Sequence, residues 1–380
     1  MQGSFTAPGG ALTAAVQYAA KWLDTKPANP VHGGLVLDVT GGRLTIASQG
    51  ELATARATLD VEGDADGRFI VSGRLLAALV ATLSDKPVAF EQTGLVVAMK
   101  SGRYAATLPA MSEKDYPDLT AVAPAAGRIE GSALIGAVRR VGTVASKTDT
   151  LVVLTGVYFW LESRENGITM TSTDRLRACR ETVEWLPEDG HEPVAESFVL
   201  PASVLIDAGD AFDTMEPVEI GWQGTTVSLS TSTRSLVTRT LGDPGTYPDM
   251  GPHFAQADER THTVTLKVKD VLIPLKRADQ LADSEYRHVI LDLRKGLLVL
   301  RSATVGKGGG DEEVDVEYDG PDCSIMTRSA ILHGVLATAP SDTITLHITP
   351  GRALPTFATS PANPAWTHMF MPVRHSGGMK

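Results

Sequence analysis

The sequence predicts an α+β protein of three repeated domains, each made of two halves in which one helix is accompanied by several strands. Three observations carry this. Tyr116-Pro117-Asp118-Leu119 returns almost letter for letter as Tyr247-Pro248-Asp249-Met250, with matching echoes upstream: Asp85-Lys86-Pro87-Val88 with Met215-Glu216-Pro217-Val218, and Phe69-Ile70-Val71 with Phe198-Val199-Leu200. A more worn third copy places Ser324-Ile325-Met326 and Asp342-Thr343-Ile344-Thr345 in the corresponding positions. Within each copy, helical and strand periodicity alternate twice. A repeat this long is a duplicated domain rather than a solenoid turn, and the predicted domains are residues 1–122, 127–251 and 261–380.

The elements follow in order. Leu12, Ala15, Val16, Ala19 and Leu23 form the first apolar stripe, with Gln17 and Lys21 on the other face. Leu35 to Val39 turns at Gly41-Gly42 and returns as Leu44-Thr45-Ile46, a hairpin signal. Ser72 is placed to cap a second helix through Leu75, Leu76, Leu79 and Leu83. In the second repeat Ser132 caps a stripe of Leu134, Ile135, Val138 and Val141, which leaves Arg139, Arg140 and Lys147 off it. Hairpins follow at Asn166-Gly167 and, in the third repeat, at Lys295-Gly296. Val204, Leu205, Ala208 and Phe212 make the second helix of repeat two. In repeat three Asp270 caps Val271 to Ala278, although Pro274 removes a donor there, and Ile331, Leu332, Val335 and Leu336 run until Pro340. The stretches 120–127 and 251–261 read as linkers.

Composition bounds the function. The 380 residues, 43% hydrophobic, suffice for several cores. Cys179 and Cys323 fall in different repeats and make no disulfide framework, the start lacks a signal-peptide pattern, and no apolar run approaches a bilayer's thickness, so a cytoplasmic protein is expected. A formal charge of −11 and pI near 5.3 argue against nucleic acid only if charge is evenly spread. Residual Lys and Arg on the helices imply instead a segregated surface with one basic face.

Catalytic signatures are missing. Gly306-Lys307-Gly308-Gly309-Gly310 is followed by Asp311, Glu312 and Glu313, where a phosphate loop needs Lys-Ser/Thr, so a hairpin tip is the better reading. The nine histidines form no metal-ligand spacing, and no G-x-S-x-G turn marks a nucleophile. No cofactor, metal site or active site is expected.

Gly167 to Arg177, with Tyr116-Pro117-Asp118, the terminal Phe370-Met371-Pro372-Val373-Arg374, Val71 to Leu76 and Ser101-Gly102-Arg103-Tyr104, closely resembles the bacterial beta sliding clamp, the processivity subunit of the replicative DNA polymerase. The likeness spans the whole chain. It implies three domains of one fold and a head-to-tail homodimer, a ring with helices lining a hole around duplex DNA and sheets outside. Such a ring holds double-stranded DNA without reading its sequence, through scattered phosphate-facing cations. Head-to-tail contacts close only when the rotation does.

The resemblance assigns DNA contacts to Lys26, ahead of Pro27, and to Arg74; Arg140 and Lys147 join them as off-stripe cations. It places a groove for linear peptides of the polymerase, the clamp loader and repair proteins at Thr173, Arg175, Leu176, Arg177 and Ala178, then Pro248, then Met369, Phe370, Met371, Pro372, Val373 and Arg374. An apolar lining with a few polar anchors suits an extended peptide. Departures are visible. Ala202 and Ser203 stand where relatives often carry basic residues, and Val152 and Val153 where some carry an aromatic pair. Ala178 replaces a usual leucine, Pro252 and His253 an Arg-and-aliphatic pair, and His375 to Lys380 run past the usual end. Ala178 removes methylene-sized groups from the lining, so compact pocket-directed inhibitors are expected to bind less well and a specialised clamp that tolerates them follows, with neutral drift as the alternative. A clamp-fold scaffold that binds partners without sliding, and an enzyme with an unrecognised site, are the competing classes.

Overall fold

The structure, a computed structural model, describes residues 3–24, 26–83, 85–161, 167–188, 196–212, 215–282, 286–302, 310–350 and 354–373. Asn166, residues 306–309 of the glycine run, Arg374 and His375 to Lys380 lie outside them.

Seven helices are described: α1 (Gly9–Ala20), α2 (Gly73–Val80), α3 (Gly131–Gly142), α4 (Ala202–Ala211), α5 (Gly251–Phe254), α6 (Val268–Leu281) and α7 (Ser329–Ala337). All but the short α5 fall at the six predicted places. Helix α1 buries Leu12, Ala15, Val16 and Ala19. The Ser72 hydroxyl accepts the Leu75 N–H at 3.4 Å, but α2 stops at Val80, so Leu76 and Val80 form its buried pair and Leu75 is exposed. Helices α3 and α6 start earlier than predicted. Ser132 and Asp270 therefore sit inside the first turn instead of capping it, and Pro274 is buried within α6. The Gly41-Gly42 turn has φ of +58° and +77°, the left-handed pair that a tight hairpin needs.

Each half of each repeat forms the same four-stranded antiparallel unit: three sequential strands make a meander, and a fourth lies beside the first. In the first repeat the leading half is Gly34–Thr40, Arg43–Gln49 and Ala53–Asp60 with Gly67–Ser72. Its trailing half is Val88–Thr93, Val96–Ser101 and Tyr104–Met111 with Ser4–Ala7. Half-sheets of different repeats then join through their third strands, while within the first repeat Ile70 and Val71 also pair with Met111 and Ala110. Arg234–Arg239 of the second trailing half pairs with Ala53–Asp60, Arg234 opposite Ala57 and Thr238 opposite Ala53. Arg177–Val183 of the second leading half pairs with Asn363–Phe370 of the third trailing half, Arg177 opposite Phe370 and Glu181 opposite Trp366. Sheets of fourteen, eight and four strands result among the described residues.

The chain divides into two compact units, residues 1–132 with 186–192 and 210–240, and residues 133–185 with 193–209 and 241–380. The middle repeat contributes to both. In the first unit Phe5 stacks on Phe90 at 5.1 Å, and buried Tyr18 donates its hydroxyl to the Ser235 carbonyl at 3.0 Å beneath the Arg234 guanidinium. In the second, Arg140 on α3 grips buried Glu181 through two bonds of 2.7 and 2.5 Å, and Asn363 donates to the same carboxylate at 2.8 Å. The repeated tyrosines have one job. Tyr116 donates to the Gly34 carbonyl at 3.1 Å and Tyr247 to that of Thr171 at 3.3 Å, latching each connecting segment onto its own repeat's leading sheet. No described helix is long and apolar enough to cross a membrane.

Candidate functional site

Thr173 ends the strand Ile168–Thr173, and the turn after it is built from side-chain-to-backbone bonds. Asp174 accepts the N–H groups of Leu176 at 3.1 Å and Arg177 at 3.0 Å, while the Thr173 hydroxyl accepts that of Arg175 at 3.1 Å. This forces Arg175 to φ +73°, a conformation non-glycine residues rarely adopt. A fork onto Asp149, Nε to Oδ2 at 3.0 Å and Nη2 to Oδ1 at 2.7 Å, holds it there. The Arg175 bonds, then the Leu151 N–H, bring the Asp149 carboxyl down to about 2. Arg177 is paired with Asp174 at 2.9 Å.

The terminal segment meets this turn. The Met371 N–H donates to the Leu176 carbonyl at 2.9 Å, and that of Val373 to Met326 at 2.7 Å. Leu176 and Met371 are thereby juxtaposed, 40% and 37% exposed, with Pro372 and Val373 partly exposed beside them. An exposed apolar pair ringed by Arg175, Arg177 and their carboxylates can dock an apolar peptide side chain and hold its flanking polar groups.

Other expected lining residues are placed differently. Phe370 is fully buried, as is Ala178, which packs with Phe254, Phe357 and Met369 while Met250 and Ala257 cover the cluster. A longer side chain at 178 would have to share this buried cluster with Phe254 of α5. Pro248 is exposed and lines a neighbouring cleft. The sequence reading missed Phe254. Its signal was an aromatic close behind the departing Pro252-His253 pair.

Beneath the groove His368 is completely buried, with neither ring nitrogen hydrogen-bonded among the described residues. Burial, helped by Arg177, pushes its pKa down to about 3.

Of the expected DNA contacts, Lys26 and Arg74 are exposed in the first unit. Arg74, Lys21 and Pro27 line a cleft of about 700 Å³ there. Lys147 is exposed after α3 in the second unit. Arg140 is a correction: its guanidinium is turned onto Glu181, so it braces the protein instead of facing phosphates.

Residues 4–120 match the family model described as DNA polymerase III beta subunit, N-terminal domain, and residues 128–249 match that of its central domain. The beta sliding clamp of Micrococcus luteus is 33% identical over 218 residues, 57% of this chain and 68% of the relative. The chain belongs to the bacterial beta sliding clamp family. The beta sliding clamp of Streptomyces coelicolor is 28% identical over 377 residues, covering 96% of this chain and 98% of that one. A solved sliding clamp from Pseudomonas aeruginosa, bound to griselimycin, superposes with a TM-score of 0.88 at 18% identity, over 99% of this chain and 100% of that one. A sliding clamp is a processivity factor rather than an enzyme, which accords with the missing catalytic signatures. The six half-sheets of this clamp are the internal repeat written in structure.

Proposed function

We propose that two copies of this clamp, each with domains at 1–122, 127–251 and 261–380, close head to tail into a ring around duplex DNA. The ring tethers the replicative polymerase, the clamp loader and repair proteins through linear peptides docked at Leu176 and Met371. One observation carries the closure. Both seams join the third strand of a leading half to the third strand of a trailing half of another repeat. By that rule Asp311–Asp315, the third strand of the last leading half, seeks the third strand of a trailing half, and Tyr104–Met111 remains. Among the described residues Tyr104 to Thr107 pair on one edge only, as does Asp311–Asp315. The acids Asp311, Glu312, Glu313 and Asp315 complement Lys100 and Arg103 at the other end.

The Ala110 N–H points to Leu95, so by strand alternation the Thr107 N–H points outward. Thr107→Pro removes that donor without touching the hairpin, and sedimentation should show monomer where wild type is a dimer. An unchanged dimer would sink the closure. On open linear duplex, Lys26→Ala and Arg74→Ala should weaken binding alike for all sequences and flatten its salt dependence.

A second reading is favoured by the filled space at Ala178. A ligand that reaches into the space beside Ala178 meets Phe254 here, whereas an extended peptide rests on Leu176 and Met371; griselimycin, held by the Pseudomonas clamp, is the probe that separates the two. Pairing Ala178→Leu with Phe254→Leu should raise griselimycin affinity and leave the affinity of a peptide carrying only the apolar anchors unchanged. Equal griselimycin binding by both proteins would leave drift as the explanation.

A further inference from the structure

On the outer face of the second leading sheet, Pro248 shares its cleft with Tyr158, Trp160, Thr171, Arg180 and Phe254. The cleft encloses about 430 Å³ and lies within the second compact unit. Strand alternation places Arg180 on the same face as Ala178, and Thr171 directly opposite it. The Arg180 guanidinium lies 4.6 Å from the centre of the Phe254 ring. Among the described residues no carboxylate pairs with it, and burial alone pulls its pKa down. A half-buried cation stacked on a ring keeps its edge N–H groups for a planar anion, and without one it bears an uncompensated desolvation cost. The neighbouring carboxylate, Asp249 on the rim, accepts the Gly251 N–H at 2.9 Å. One cation beside that acid suits a singly charged carboxylate rather than a polyphosphate.

We propose that this cleft is an accessory subsite for partner peptides, in which Arg180 binds the carboxylate of an Asp or Glu flanking the apolar anchors while Tyr158 and Trp160 cover its stem. The subsite rests on the reading of Leu176 and Met371 as a peptide groove, and Pro248 forms the shared wall. Nothing in residues 173–178 or 369–374 points to it; the cation lies one strand position beyond the buried Ala178-Cys179 pair.

The test is fluorescence anisotropy with five labelled peptides: apolar anchors alone, anchors extended by Glu at one end or the other, and the same two extensions with Gln. With wild type, one Glu peptide should bind about tenfold more tightly than its Gln twin, as expected for a charge-assisted hydrogen bond. Arg180→Gln should abolish that gap and leave the anchor peptide unaffected, and Leu176→Asp should lose all five. Equal binding of Glu and Gln peptides by wild type overturns the subsite and leaves the groove standing. Failure of every peptide to bind wild type overturns the groove, and the subsite with it. A gap that survives in folded Arg180→Gln removes Arg180 from the role. Should that variant not fold, Arg180→Lys keeps the charge without the planar fork, and the gap must shrink.

Discussion

The two seams between repeats use one backbone device and different side-chain chemistry. Where Arg234–Arg239 meets Ala53–Asp60, the joint is sealed by aromatics: Tyr18 packs edge-on to Phe212 at 6.0 Å and spends its single hydroxyl on Ser235. Where Arg177–Val183 meets Asn363–Phe370, the joint encloses Glu181, Arg140, Asn363, Cys179 and His368, with the candidate groove on its outer side. Extending a sheet settles which strands meet. It does not settle which polar groups the joint encloses or how they are paired. A polar seam fixes its geometry through directed bonds, as a binding groove requires, but it depends on every partner staying in place.

Breaking the polar seam should have the largest effect. Glu181→Ala leaves the Arg140 guanidinium without its carboxylate in a largely buried site and should cost about 3–5 kcal/mol, read by chemical denaturation. A loss of under about 1 kcal/mol would mean water replaces the carboxylate and the seam is less closed than its burial indicates. Ala178→Leu alone should overpack against Phe254, Phe357 and Met369 and cost about 1–3 kcal/mol, relieved when combined with Phe254→Leu.

Acid separates the seams without any mutation. The folded state holds His368 neutral down to about 3, below its ordinary 6.5. Its contribution is therefore complete above about 6.5 and is lost as pH falls toward 3, because only the unfolded chain takes up the proton readily. Asp149, lowered from 3.8 to about 2, adds its own loss only below its ordinary value. Between pH 6 and 4, the stability measured by chemical denaturation should fall in wild type and stay level in His368→Leu; parallel curves would assign the sensitivity elsewhere. The smallest effect belongs to the aromatic seam, where Tyr18→Phe should cost about 1 kcal/mol for one hydrogen bond, with no pH dependence between 4 and 8.

The sequence by itself determined the repeat, the helix and hairpin in every half, and the cluster Thr173 to Arg177, because these depend on neighbours within a few residues: helical stripes, hydroxyl caps and glycines at tight turns. Its charge reading needed correction where a side chain's partner lies far along the chain. Periodicity took Arg140 off the apolar stripe, but whether an off-stripe cation meets phosphate or carboxylate depends on Glu181 two strands away. Ala178 read as a missing leucine, since nothing local announces that Phe254 arrives from a later segment to fill the space. Tertiary structure alone decided which third strands pair, which polar groups they enclose, and that Arg180 faces a cleft with no carboxylate paired to it among the described residues. Backbone edges are chemically alike in every repeat, and only the packed chain selects among them.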